Sequence, residues 1–290
     1  MPELPEVETV VRGLRETVVS RTIKQVKLNA PPATIVVGRA FAERGFERSL
    51  VGKRIERVDR RGKNILIRLS GDATLWAHLK MTGHFFWVPR SAPINKHDLA
   101  VFRFRSENGK GACRLEENIL KFNDYRRFGR LRLFDNEELM QQPGIASLGP
   151  EPLEISPDEF VELFRRTTRM IKPALMDQTF IAGLGNIYAD ESLYAARIHP
   201  RRLTSSISRR KLIELHGIIQ TLLLMAIDNM GTSVDSYSGV NGNPGGFQKY
   251  LKAYNNESLP CERCGTIIIR EKIGSRSAHF CPRCQKAPKG

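Results

Sequence analysis

The chain has 290 residues, 41% of them hydrophobic, and carries 46 Lys and Arg against 31 Asp and Glu, for a net charge of +15. That length and composition support a sizeable core in one large or two to three smaller domains. The basic excess favours a polyanionic partner, nucleic acid ahead of a membrane surface. No apolar run is long enough to span a membrane, and the N-terminus is acidic where a secretory signal is basic. The expectation is a cytoplasmic, nucleoid-associated protein.

The first stretch, Met1-Pro2-Glu3-Leu4-Pro5-Glu6-Val7-Glu8, opens an amphipathic helix with Val7, Val10, Val11, Leu14 and Val18 on one face. Pro5 fits a first helical turn, and Glu3, Glu6 and Glu8 suit the positive end of the helix dipole. An ordinary acidic helix start explains those carboxylates equally well. Pro2 is the unusual residue. Removal of Met1 exposes a secondary amine, and an α-amine with a pKa of roughly 8 is partly unprotonated near neutrality. Such an amine can attack an electrophilic carbon and form an iminium ion, with Glu3 beside it to move protons.

Residues 22–136 read mainly as strands, among them Thr22–Leu28, Ile55–Asp59, Asn64–Leu69, Thr74–Leu79, Leu99–Phe104 and Leu131–Phe134. They are β-branched or aromatic and are separated by turn formers, a pattern of β-sandwiches and barrels. The Pro- and Gly-rich segment 142–157 reads as a linker. Helical periodicity follows. One helix opens at Pro157, a short one covers Lys172–Gln178, another starts near Asn186 after Gly183 and Gly185, and a long apolar one spans Ser208–Met230. Taken by itself, Asn186 suits a simple N-cap better than a phosphate contact. The glycine-rich stretch 236–247 reads either as a connector or as a mobile lid.

Four of the five cysteines fall near the C-terminus, as Cys261-x2-Cys264, sixteen residues, then Cys281-x2-Cys284. This spacing matches a four-thiolate zinc site on a β-ribbon, with a closed coordination sphere and so a structural metal. Cys113 reads as a buried or half-buried free thiol. Basic residues cluster four times: Arg57, Arg60, Arg61 and Lys63; Arg126, Arg127, Arg130 and Arg132; Arg165, Arg166, Arg169 and Lys172; and Arg201, Arg202, Arg209, Arg210 and Lys211.

Taken together, the two ends and the motifs between them resemble the formamidopyrimidine-DNA glycosylase family. PELPEVET at 2–9, RRGKNIL at 60–66, HLKMTG at 78–83, YRRFGRL at 125–131, LGPEP at 148–152, IKPALMD at 171–177 and GLGNIYADE at 183–191 occur in family order before the four-cysteine ribbon. The resemblance covers essentially the whole chain. It implies a multidomain α+β protein: an N-terminal β-sandwich with the terminal helix over 2–136, a linker over 137–157, a helix–two-turn–helix domain over 158–235, a lid and connector over 236–257, and a zinc ribbon over 258–290. It implies a monomer acting on damaged double-stranded DNA in a basic cleft, with one structural zinc held by Cys261, Cys264, Cys281 and Cys284.

The resemblance also implies roles for single residues. Pro2 is the nucleophile at C1′ of a flipped nucleotide, Glu3 the acid that opens the sugar, Lys63 the residue of β-elimination and Arg276 that of δ-elimination. Met81, Arg126 and Phe128 fill the gap left by the extruded base; without the family, Met81 and Phe128 read as core. His97, Arg166, Lys172 and Asn186 match DNA-contacting positions, and Glu6 and Glu191 match structural or orienting acids. Two departures stand out. Tyr254-Asn255-Asn256 replaces the usual Tyr-Gly-Arg or Tyr-Gly-Lys, and Asp235 stands where some members carry a base. The competing readings are an endonuclease VIII-type enzyme for oxidised pyrimidines, a catalytically silent DNA-binding zinc-ribbon protein and, more weakly, a helix–turn–helix transcription factor.

Overall fold

The computed structural model describes residues 1–29, 34–107, 113–233 and 239–288. The expectations for Asp235, for residues 236–238 of the glycine-rich stretch and for the Cys113 thiol fall outside the described residues and side chains. Two compact units emerge. One is Met1–Ala146 with Met230–Gly246, the other Ser147–Asn229 with Phe247–Gly290.

In the first unit α1 (Leu4–Val18) buries the stripe Val7, Val10, Val11, Leu14 and Val18. Along the chain follow β1 (Thr22–Leu28), β2 (Ile35–Val37), α2 (Gly45–Leu50), β3 (Ile55–Arg61), β4 (Asn64–Leu69), β5 (Ala73–His78), β6 (Gly83–Pro89), β7 (Asp98–Glu107), β8 (Cys113–Asp124) and β9 (Arg130–Asp135). They form a four-stranded sheet in the order β1-β7-β8-β6 and a five-stranded sheet in the order β2-β9-β5-β4-β3. All pairings are antiparallel except β2 with β9. Phe85, Phe102, Phe104 and Phe122 of the smaller sheet share one core with Ile65, Ile67, Leu75, Leu131 and Leu133 of the larger, and the α1 stripe joins them. This is a sandwich with a helix packed on it, as alternating strands with one apolar face require.

After β9 come two short helices, α3 (Asn136–Gln141) and α4 (Pro143–Ala146), the second inside the segment 142–157 that reads as linker from composition. Asp135 caps the first by accepting the Glu138 N–H at 2.7 Å. Leu139 and Ile145 then cover Leu66, Trp76 and Phe134 on the outer face of the larger sheet. Local capping and a buried apolar pair outweigh the Pro-Gly content here.

The second unit holds α5 (Pro157–Arg165), α6 (Ile171–Met176), α7 (Asn186–Ala195) and α8 (Arg209–Asp228), followed by the hairpin β10 (Ile269–Ile273) and β11 (Arg276–Phe280). Ser156 starts α5 with a capping box, its own N–H reaching Glu159 at 3.0 Å. Ser208 caps α8. The long helix packs against α5 and α7, and β11 packs on α7. No helix among the described residues is long and apolar enough to cross a membrane.

Between its two passages through the second unit the chain returns to the first. The Thr232 N–H donates to Glu6 Oε1 at 2.7 Å. Val240 enters the sandwich core, and its carbonyl accepts the Trp87 N–H at 2.9 Å. Gly231 has φ +76°, and a Cβ there would lie 2.8 Å from Glu6 Oε1 and 3.2 Å from Glu6 Cα. Both the left-handed backbone and the collision exclude a side chain. Gly231→Ala should lower unfolding stability by about 1–3 kcal/mol, measured by urea titration; an unchanged midpoint would show that Glu6 is free to move.

Candidate active site and zinc ribbon

At the chain start Met1 is exposed while Pro2, Glu3 and Glu6 are buried. Glu6 Oε2 accepts the Glu3 N–H at 2.8 Å, and its other oxygen takes the Thr232 N–H. One carboxylate thus satisfies an orphan donor of the helix start and pins a segment more than two hundred residues away. With Met1 attached the Pro2 nitrogen is an amide. Removal of Met1 makes it a secondary amine fixed at the head of a helix whose core face cannot shift.

A second cluster lies on the larger sheet and its turns. Lys63 follows Gly62 (φ +55°) in the turn between β3 and β4 and is buried. His78 ends β5. Burial and the cations Lys80, Lys63 and Arg132 push its pKa down to about 3, so the imidazole is neutral. Burial and the neighbouring arginines also lower Lys80 and Arg132. Among the described residues, the causes that shift these three groups are burial and neighbouring cations. The Arg132 guanidinium lies over Trp76 at 4.4 Å, with its Nε buried and unpartnered. Cations gathered this closely fit a polyanion. His78 is absent from the residues singled out in the sequence, although it opens the quoted HLKMTG motif. Its signal is electrostatic and exists only after folding.

Two loops carry the expected gap-filling residues. Met81 and Phe128 are 44% and 46% exposed, which sets aside the core reading. The Arg126 guanidinium stands 4.9 Å over the Phe128 ring. A single buried carboxylate organises both loops. Asp124 accepts Thr82 Oγ at 2.5 Å, the Arg126 N–H at 3.0 Å and the Gly129 N–H at 2.6 Å. Arg127 takes φ +58°, and a Cβ on Gly129 would strike Phe122 at 2.7 Å, so the turn is tightly specified. His97 belongs to the same scaffold. Its carbonyl accepts the Asp124 N–H at 2.9 Å, and its buried Nδ1 has no partner.

In the second unit Asn186 occupies the first turn of α7, with Gly185 as N-cap and with its own Oδ1 buried and unpartnered. Gln178 braces the preceding turn through the Gly183 N–H and the Leu184 carbonyl. Arg166 is exposed at the end of α5. Lys172 corrects an expectation. It was matched to a DNA-contacting position, yet it is fully buried, with Nζ donating to Asp190 Oδ1 and to the Ser277 carbonyl, both at 2.5 Å. Asp190 Oδ2 takes the His279 N–H at 3.0 Å and faces its Nδ1 at the same distance. This ammonium fixes the ribbon strand next to Arg276 and has no surface left for phosphate.

The ribbon meets the geometric test for zinc. The four sulfurs lie within 4.8 Å of one another, with Cys264–Cys281 and Cys264–Cys284 at 3.5 Å and Cys261–Cys284 at 4.0 Å. Tetrahedral coordination with bonds of about 2.3 Å needs sulfurs about 3.8 Å apart. One structural Zn²⁺ fits, held by all four thiolates. Burial and Cys261 keep the Tyr194 phenol protonated, 3.3 Å from that sulfur. Arg276 stands exposed at the hairpin tip, paired with Ile273 across the Gly274-Ser275 turn.

The connector before the ribbon accounts for one departure from the family pattern. Glu191 accepts three successive N–H groups, from Lys252, Ala253 and Tyr254, at 3.0, 2.9 and 2.8 Å. Asn255 then takes φ +59°, a left-handed position where Asn replaces Gly at modest cost. Asn256, in the place of the usual base, donates its side-chain amide to the Leu251 carbonyl at 2.9 Å.

A sandwich headed by a Pro-Glu helix, with a helical unit that carries a four-thiolate ribbon, defines a class of zinc-ribbon proteins built to handle nucleic acid. Family models match along the chain: the formamidopyrimidine-DNA glycosylase N-terminal domain at residues 1–131, the H2TH domain of the same proteins at 148–238 and the zinc finger found in FPG and IleRS at 258–287. The formamidopyrimidine-DNA glycosylase of Ligilactobacillus salivarius is 40% identical over 98% of this chain and 99% of its own length. That of Pelotomaculum thermopropionicum is 43% identical over 99% of each. Among solved structures, a Lactococcus lactis FPG variant in complex with Fapy-dG-containing DNA aligns at TM-score 0.86 and 33% identity, over 99% of this chain and 100% of that one. The Lactococcus lactis protein with abasic-site DNA aligns at 0.85 and 33%, over 98% and 100%. The chain belongs to the formamidopyrimidine-DNA glycosylase family.

Two outcomes test this geometry. Lys172→Met should cost about 3–5 kcal/mol by leaving Asp190 buried without its cation, while the salt slope of DNA binding stays unchanged; a slope reduced by about 1 would restore the phosphate role. His78 is neutral when folded down to about pH 3, but takes up a proton near pH 6.5 when unfolded. Its contribution is therefore fully present above pH 6.5 and is lost as pH falls through that window toward 3. Urea titrations between pH 7 and 4 should show a steeper loss for wild type than for His78→Gln.

Proposed function

We propose that this chain is a base-excision repair enzyme that removes oxidised purines from duplex DNA and cleaves the strand at the resulting abasic site. The carrying observation is the anchored N-terminus: Pro2 and Glu3 buried together, with the Glu6 carboxylate holding the Glu3 N–H. The relatives and solved neighbours named above, formamidopyrimidine-DNA glycosylases and complexes with Fapy-dG or abasic DNA, support the substrate class. The site of action is the cytoplasm, at the nucleoid.

The damaged nucleotide leaves the stack, since its C1′ is unreachable inside a duplex. Met81, Arg126 and Phe128 suit the vacated space: a thioether and an aromatic wedge against unstacked bases, and a guanidinium for the orphaned base edge. The Pro2 lone pair forms the N–C1′ bond. The glycosidic bond breaks with its electrons leaving on the base, which is protonated, and the amine gives up its proton. Glu3 protonates the ring oxygen as the sugar opens to an iminium ion. The iminium draws electrons from C1′, so a proton leaves C2′ and the 3′ phosphate departs; a second elimination then releases the 5′ phosphate. Lys63 serves the first elimination and Arg276 the second. The basic group around His78, with Arg166, His97 and Asn186, holds phosphates, the α7 N-terminus adding its dipole. Zinc stiffens the ribbon that carries Arg276 and takes no part in bond breaking.

Protein with a bare Pro2 should form a covalent adduct with an 8-oxoguanine·cytosine duplex under borohydride, and Pro2→Gly and Glu3→Gln should each lose at least about 100-fold in adduct yield or base release. Wild-type trapping by both variants would refute the assignment. Preferential turnover of thymine glycol would instead place the chain with the pyrimidine-directed enzymes.

A further inference from the structure

The fourth basic cluster of the sequence has no part in the reaction proposed above. Arg202 and Lys211 from it, with Arg197, His199, Ser208 and Lys286, line a cavity of about 320 Å³ in the second unit, beside the ribbon residue Cys284. No carboxylate is among the lining residues. Of the acids, Glu271 pairs with Arg201 and Asp158 with Arg209, neither cation lining the cavity, while Glu214 pairs with the lining residue Lys211 and so offsets that one charge. The side chains of Arg197, Arg202 and Lys286 have no ion-pair partner among the described residues.

Two further observations point to a ligand. Ser208 is the N-cap of the 20-residue α8, so the cavity faces the positive end of a long helix. Independently, His199 is only 6% exposed, and its Nδ1 accepts the Arg201 N–H at 3.1 Å. That bond puts the ring proton on Nε2, which has no partner among the described residues. The ring is held edge-on against Phe280 at 4.7 Å, so its orientation is fixed. With Nδ1 turned to the backbone, Nε2–H is the polar edge left for the cavity. A free donor on a nearly buried imidazole, beside three cations without ion-pair partners among the described residues, suits an oxyanion.

We propose that this cavity binds a phosphate group, supplied either by free phosphate or by the backbone of a polynucleotide, with His199, Arg197, Arg202 and Lys286 as its donors. The site is separate from the residues assigned to the glycosylase reaction and stands whether or not that assignment holds.

The test uses full-length zinc-loaded protein saturated with an uncleavable abasic-analogue duplex, so that the DNA-binding residues proposed above are already occupied. Inorganic phosphate is titrated at constant ionic strength against the His199 imidazole ¹⁵N and ¹H signals. A saturable shift of Nε2–H is expected, absent with chloride, and weakened about tenfold or more in the double variant Arg202→Gln, Lys286→Gln. In a parallel arm, the salt slope for undamaged duplex is compared between wild type and the double variant. A slope lowered by about 1 identifies a polynucleotide as the source, and an unchanged slope identifies free phosphate. Absence of a saturable shift both with and without the duplex, or equal phosphate affinity in the double variant with intact zinc content, overturns the proposal.

Discussion

The Glu6 carboxylate is the interaction on which the N-terminal chemistry depends. It is 2% exposed, and both of its oxygens accept backbone N–H groups, one at the head of α1 and one at Thr232. A buried carboxylate is tolerable only with such donors. Once they are in place, α1 has one position, because its opposite side is the apolar stripe in the sandwich core. A nucleophile at a free chain end would ordinarily sample many conformations. Here the first residues inherit the rigidity of a helix clamped at its start and packed along its length, which is what placing one nitrogen at one carbon requires.

Carboxylates that organise backbone recur in the other parts of the candidate site. Asp124 orders the two loops bearing Met81, Arg126 and Phe128, Glu191 gathers three amides of the connector, and Asp190 joins Lys172 to His279. Each is buried. The +15 charge is therefore not spread evenly in effect. These acids sit in the interior as structural acceptors, while cations such as Arg126, Arg166 and Arg276 are exposed. Salt-sensitive association with DNA follows from that division of labour.

The ribbon depends on two unlike anchors. Four thiolates close around zinc and stiffen its base, while the Lys172–Asp190–His279 network holds β11 against α7. Metal alone fixes the knuckles. The network fixes the strand that begins with Arg276. Removing either anchor leaves a tip whose arginine is present but unaimed, so the two devices are complementary rather than redundant.

Much of this was legible in the sequence because the signals are local. The α1 stripe follows from a 3.6-residue period, the zinc site from cysteine spacing, and strands such as Thr22–Leu28 and Asn64–Leu69 from β-branched runs between turn formers. The roles proposed for Pro2, Glu3, Lys63 and Arg276 rest on the resemblance of the motifs to the family. Tertiary structure decided what depends on distant neighbours. It buried Lys172, because only folding brings Asp190 and Ser277 to its ammonium. It exposed Met81 and Phe128, whose apolar character alone reads as core. It buried His78 beside cations, and burial first, then their charge, keeps the ring neutral; it also sent Met230–Gly246 back to the first unit through Glu6 and Val240. Periodicity and spacing report the chain's own neighbours along the sequence, whereas burial and charge state are set by neighbours in space, and those exist only in the folded molecule.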